Sequence, residues 1–239
     1  LAQLRLAMRT PRGRSIMMSP LLFLVVFGMF MVRGGGTLEF GPFNFQSGLG
    51  LAAFTSFVAT LSILPIAMNQ FAVDKAGLTL ALLSPLTDHD YLAGKAAGNA
   101  LVISAPSLVA IVLAGAVFPG GSLALWLCLP LALVSISLLV APIAAMISAT
   151  FPRVVDMNSI GRSSNAHGLA GLLGLLSYAA AGVPSLLLVL AATRWMERPV
   201  LAPLLLLAWC AVSYGISRAL FIAARKIFAQ RRENFALIF

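Results

Sequence analysis

The chain has 239 residues, of which 60% are apolar and 10% charged, against about 45–50% and about 25% in ordinary soluble domains. That composition excludes a soluble globular domain. Sixteen Lys or Arg stand against seven Asp or Glu, for a formal net charge of +9. Because the basic residues fall between long apolar runs, they point to a membrane surface rather than to nucleic acid.

In chain order, Leu1, Leu4 and Met8 recur at helical spacing on a face away from Arg5 and Arg9. Residues 1–14 are therefore expected to hold a short amphipathic helix in the membrane interface, broken by Pro11 and Gly13 before the first span. A bilayer core about 30 Å thick takes roughly 20 apolar residues in helix, since lipid offers the backbone no hydrogen-bond partners. Six stretches meet this: 15–32, 48–68, 96–118, 123–149, 169–193 and 200–224. Their unbroken apolar character differs from the alternation of a membrane β-barrel. The expected fold is an all-α membrane protein with a six-helix domain over 15–224 and a basic tail over 225–239. Leu1 in place of Met, with no signal-peptide cleavage pattern, leads us to expect a piece of a longer protein.

Lys and Arg in short loops are retained on the cytoplasmic side. With the N-terminus inside, that side holds Arg5, Arg9, Arg12, Arg14, Lys75, Lys95, Arg153, Arg162, Arg218, Arg225, Lys226, Arg231 and Arg232, 13 of the 16. Both termini are accordingly expected in the cytoplasm. The opposite side receives the loop 33–47, the turn 119–122 and the link 194–199. The inside receives two longer polar connections, 69–95 and 151–168.

Several chemistries lack their residues. No GxxxxGK[ST] loop occurs, so the chain has no P-loop cradle for nucleotide phosphates. Proton-driven carriers usually bury Asp, Glu or His in their spans, and the six stretches contain none. His89 and His167 both sit in connections. Cys128 and Cys210 lie in apolar runs, outside any CxxC or Cys/His cluster. An enzyme, a metal site and a cofactor on this chain are therefore not expected. Arg218 is the one charge within a span, close enough to its end to snorkel to the headgroups. Ser177 with Tyr178, and Ser213 with Tyr214, are expected to hydrogen-bond between helices. Gly94 and Gly98 make a GxxxG spacing, and Gly168, Gly171 and Gly174 repeat small residues on the fifth span, so these glycines are candidate helix-packing positions. Pro106, Pro130, Pro142, Pro184 and Pro203 fall inside spans, where each frees a backbone carbonyl.

The stretch from Asn69 to Asn99 carries the most information. Phe71, Val73, Leu78, Leu80, Leu82 and Leu83 make its first part apolar without reaching membrane length. Ser84-Pro85 then ends it before Thr87-Asp88-His89-Asp90, a capping cluster for the next helix. A short element lying along the membrane, a sharp turn and re-entrance into the bilayer are expected.

Asn69-Gln70-Phe71, Asp74 and Gly77-Leu78, followed by Leu82-Leu83-Ser84-Pro85-Leu86 and by Leu92, Gly94 and Lys95, resemble the connection between the second and third spans of type-2 ATP-binding-cassette (ABC) exporter permeases. Phe151-Pro152-Arg153-Val154-Val155-Asp156 is similar to that family's link between spans four and five. The likeness covers most of the chain in topology and about forty residues in motif. It departs from the family at 194–199, where many relatives carry a sizeable external hairpin or domain.

The resemblance implies a transmembrane permease subunit, or the C-terminal six-span half of a longer permease, in the bacterial cytoplasmic (inner) membrane. Residues 1–14 become its connecting helix. Asn69, Gln70, Phe71, Asp74, Gly77, Leu78, Ser84 and Pro85 become the coupling segment that docks on a separate ATPase, which holds the ATP and Mg. Pro152, Arg153 and Asp156 lie in the second cytoplasmic loop. Expected partners are the ABC ATPase subunits, a second six-span half, identical or in the same longer chain, and membrane lipid, with no nucleic acid. A hydrophobic or amphipathic cargo suits spans without acids. A non-transporting membrane scaffold and a secondary transporter stand as the alternatives.

Overall fold

A computed structural model of the chain describes residues 5, 8–35, 38–40, 43–45, 47–71, 84–151 and 168–238. Six long helices run through it: α1 Pro11–Arg33, α2 Gly48–Ala67, α3 Asp88–Val117, α4 Leu123–Thr150, α5 Gly168–Leu190, continued by a π-helical turn Ala191–Trp195, and α6 Leu201–Ile238. Between α1 and α2, strands β1 Leu38–Phe40 and β2 Phe43–Phe45 pair antiparallel, with Leu38 opposite Phe45. This short hairpin occupies the loop expected at 33–47 and, among the described residues, departs from the all-helical expectation.

The helices alternate in direction. One end of the bundle gathers the N-termini of α1, α3 and α5 with the C-termini of α2, α4 and α6, and is called the basic end here because Arg12, Arg14, Lys95, Arg225 and Arg231 belong to it. At about 1.5 Å per residue, α3 extends roughly 45 Å and α6 roughly 57 Å, so both outrun a hydrocarbon core of about 30 Å. Residues 225–238, expected as a basic tail, thus continue α6 as helix.

Local sequence explains the starts and stops. Thr10 is the N-cap of α1, its Oγ1 accepting from the Gly13 amide at 3.3 Å, and Pro11 occupies the first turn. Proline is at home there because the missing N–H would have no helical partner. Arg5, Met8 and Arg9 are helical and the chain is extended at Thr10, so Pro11 opens the first span just after a helical stretch, while most of the amphipathic segment expected there lies outside the described residues. Thr87 caps α3 with a reciprocal pair: its Oγ1 accepts from the Asp90 amide at 3.2 Å while its hydroxyl donates to Asp90 Oδ2 at 2.6 Å. Asp88 and Asp90 place negative charge in the first turn, where the helix dipole favours it. Gly121, at φ +77°, turns the chain between α3 and α4, and Trp126 Nε1 closes that turn on the Gly120 carbonyl at 2.8 Å.

Helices α1, α2 and α3 pack together, as do α4, α5 and α6, and α2 and α3 join the two groups across α4. Burial runs opposite to that of a soluble core. On α5 the buried residues are Ala170, Gly174, Tyr178, Ala181 and Ser185, while Leu172, Leu176, Val183, Leu186 and Leu187 are exposed. Small and hydroxyl side chains inside, with large aliphatic ones outside, is the arrangement of helices packed in lipid. Serines supply hydrogen bonds between helices: Ser19 to Ser62 at 3.0 Å joins α1 to α2, and Ser135 to Ser185 at 3.0 Å joins α4 to α5. Of the hydroxyls expected in this role, Ser177 bonds within its own helix to the Gly174 carbonyl at 2.8 Å and Tyr178 is buried beside Thr60 of α2. Ser213 is fully buried with no hydrogen-bond partner among the described residues.

Among the described residues, five helices (α1, α3, α4, α5 with its π turn, and α6) are long and apolar enough to cross a membrane. The described apolar stretch of α2, Gly48–Leu64, is shorter. The chain is thus a helical, multi-pass membrane protein by length, composition and the polarity of its surface.

Candidate functional site at the basic end

Where α2 ends, the chain does not leave the bundle at once. The Met68 amide still reaches the Leu64 carbonyl at 2.9 Å, and the Asn69 amide turns tightly onto Ile66 at 3.0 Å. Asn69, Gln70 and Phe71 follow, exposed by only 1%, 2% and 0%. Buried polar groups need partners, and for Gln70 and Phe71 these come from the other helices. The Phe71 amide donates to Ser148 Oγ on α4 at 3.1 Å. Lys95 Nζ on α3 donates to the Gln70 carbonyl at 3.2 Å, and Asn99 Nδ2, one turn further along α3, donates to Gln70 Oε1 at 2.9 Å.

The Lys95 position has an electrostatic reason. The last carbonyls of α2 carry the negative end of its dipole, and an ammonium there is favoured. Lys95 is 6% exposed, and its Nζ lies 6.0 Å from the centroid of the Tyr91 ring, within cation–π range. Replacing Lys95 by Ala leaves the Gln70 carbonyl without this charged donor in a buried setting. The expected loss is about 2 kcal/mol, read as a lower thermal midpoint of the purified protein in detergent.

An aromatic cluster completes the tie. Phe71, Tyr91 of α3 and Phe228 of α6 meet with ring centroids 5.0 Å apart for Phe71–Phe228, 5.6 Å for Tyr91–Phe228 and 6.1 Å for Phe71–Tyr91. Leu92, Ala145, Ala149 and Ala224 wall the cluster. Beside it, Arg231 Nη1 of α6 donates to the Thr150 carbonyl at 3.4 Å, so a guanidinium sits at the C-terminus of α4, where the dipole again favours it. The residues just after α2 are thereby fastened to α3, α4 and α6 together.

Of the expected coupling residues, Gln70 and Phe71 form this tie, with Asn69 buried beside them. Ser84 is half-buried and Pro85 exposed, in the bend that leads to the Thr87 cap. Asp74, Gly77 and Leu78, and Pro152, Arg153 and Asp156 of the other loop, lie outside the described residues. The expected packing glycines divide. A Cβ at Gly94 or at Gly171 would meet nothing within 4 Å, so neither marks a close approach inside this chain. Gly98 is buried. Gly174 is a close approach, its Cβ direction pointing 2.7 Å from Met68 Cγ on the residue that caps α2. The seam on α5 runs through Ala170, Gly174, Tyr178, Ala181 and Ser185. Gly171, one position after Ala170, is turned about 100° away from that line.

Sequence reasoning missed Asn99, Ser148 and Phe228 as members of the site, and counted Lys95 only as a motif residue and a topological charge. Asn99 was the available signal: a carboxamide four residues after Lys95, inside an apolar span, calls for a polar partner. Among the described residues no three His, Cys, Asp or Glu side chains converge. What this site does is hold a backbone segment rigidly against three helices. No protein-family model, curated protein or solved structure matches the chain.

Proposed function

We propose that the chain is the transmembrane permease subunit of an ABC exporter, working with a second six-span half and driven by ATP hydrolysed on a separate nucleotide-binding subunit. The basic end faces the cytoplasm, as retention of Lys and Arg requires, and the membrane is the bacterial inner membrane. The single observation that carries this reading is the burial of Asn69, Gln70 and Phe71, with Gln70 and Phe71 held in contacts with three other helices. A flexible tether would need none of these contacts, whereas a lever needs a stiff root.

Force applied by the ATPase to residues 72–83 reaches Phe71 first. From there Ser148 passes it to α4, Lys95 and Asn99 to α3, and Phe228 to α6, a rigid-body movement of helices rather than a local rearrangement. The ATP and Mg belong to the partner. This chain contributes the docking segment, the lever and the membrane path, which suits a hydrophobic or amphipathic cargo.

The reading is tested by purifying the chain with its ATPase, reconstituting both into liposomes and following ATP hydrolysis. Replacement of Asp74 by Ala or of Gly77 by Leu is expected to lower the hydrolysis that depends on the permease at least severalfold while the six helices stay folded. Hydrolysis and association indifferent to both changes would point to a membrane scaffold instead.

A further inference from the structure

Between α3, α4 and α6, a cleft of about 630 Å³ opens near the basic end. Helix α6 supplies Tyr214, Arg218 and Arg225, α3 supplies Ala93 and Ala96, and Leu138 of α4 closes the floor. The two alanines make the room. Tyr214, Arg218 and Arg225 are exposed, so the cleft opens sideways rather than into the bundle.

Its depth decides what it suits. Leu201 begins α6 at the opposite end, and Arg218 lies roughly 26 Å further along the axis, near the far edge of a core about 30 Å thick. Arg225 lies roughly 10 Å beyond Arg218 and on the same side of the helix, because seven residues make nearly two turns. Phosphates of the leaflet at the basic end fall between these two levels, while the apolar wall extends from Arg218 back into acyl-chain depth. Neither guanidinium makes an ion pair with a described residue. His89, on the rim, lies 3.5 Å from Asp90, whose other oxygen is taken by Thr87. That neighbouring carboxylate is thus engaged at the α3 cap, and Arg218 and Arg225 set the sign of the cleft.

From this placement we infer that the cleft is a binding site for a membrane phospholipid with an anionic headgroup, its phosphate held by Arg218 and Arg225 and an acyl chain lying along Tyr214, Ala96 and Leu138. Arginine suits a phosphate because its planar fork donates two parallel hydrogen bonds, and basic pockets between spans at the cytoplasmic side favour anionic headgroups. Snorkelling alone, the expectation from sequence, would leave Arg218 with water or any headgroup. The cleft instead offers it a particular lipid. The inference stands on the cleft and its charges, independently of the transport reading.

The test uses the full chain reconstituted in bilayers of equal phosphatidylcholine and phosphatidylglycerol, extracted in mild detergent, with retained lipids counted by native mass spectrometry. Wild type is expected to retain phosphatidylglycerol over phosphatidylcholine. The double change Arg218→Gln and Arg225→Gln is expected to lower that preference roughly tenfold, the equivalent of about 1.4 kcal/mol. Ala93→Phe, which fills the cleft and leaves both charges, should lower it comparably. Arg9→Gln with Arg14→Gln, which removes two exposed charges elsewhere at the same end, should leave it unchanged, and soluble glycerol phosphate should not displace the lipid. Circular dichroism and the thermal midpoint identify any variant that fails to fold, and the two cleft variants report independently. Equal retention of both lipids by wild type, an equal loss in the Arg9 and Arg14 variant, or displacement by glycerol phosphate would each overturn the inference.

Discussion

Replacing Phe228 by Ala is expected to destabilise the protein by about 3–5 kcal/mol, the range for removing a fully buried aromatic ring. Phe228 is 1% exposed and contacts two other rings, at 5.0 and 5.6 Å, and each such pair adds about 0.5–1.5 kcal/mol beyond burial. The loss should be local in character. Far-ultraviolet circular dichroism should keep most of its helical signal, because the membrane-depth packing of α4 and α6 is untouched, while protease access near residue 71 rises. Phe228→Leu, which keeps most of the volume, should cost clearly less. If the proposed function is right, Phe228→Ala also separates the ATPase from the spans: hydrolysis persists and no longer responds to the permease. A full-strength response would mean that the aromatic cluster is structural only.

The second large effect lies at the other end of the bundle. A Cβ at Gly48, the first residue of α2, would sit 2.6 Å from the Ala114 carbonyl oxygen, still closer to that of Phe118, and 2.9 Å from Phe118 Cβ. Backbone atoms of α3 cannot rotate aside, so Gly48→Ala must push α2 away from α3 there. The expected cost is about 3 kcal/mol, the upper part of the range for overpacking. It outweighs the gain of at most about 1 kcal/mol that Ala brings to a helix. The same change at Gly94, where a Cβ meets nothing, should leave the thermal midpoint unchanged or raised. A harmless Gly48→Ala would show that α2 and α3 are more loosely joined than their geometry indicates.

The number and positions of the helices were legible because lipid leaves a chain one solution for each apolar run of sufficient length. The α3 start was legible for the same kind of reason: Thr87 and Asp90 satisfy helix-end amides locally, and local chemistry is visible in a linear sequence. What could not be read was anything set by contact between distant residues. Phe228 sits among Arg225, Lys226 and Arg231 and looks like part of a solvated tail until α6 proves long enough to bring it beneath Phe71. Ser148 is one of many hydroxyls on apolar helices, and only the tertiary arrangement selects it as the acceptor for Phe71. The glycines were legible only in part, for a related reason. Spacing identifies a potential stripe on one helix, but the neighbouring helix decides which side it covers, and on α5 that side passes through Gly174 and not Gly171.

The central claim is that the connection between α2 and α3 is where an ATPase drives these spans. A photoreactive amino acid placed at Gly77 or Leu78 in the chain expressed in cells, together with one at Glu197 on the opposite side, tests it directly. The account predicts a cross-linked adduct with an ABC ATPase subunit from residues 77 and 78 and none from residue 197. Absence of that adduct from both positions in the connection, in protein that is folded and in the membrane, would contradict it.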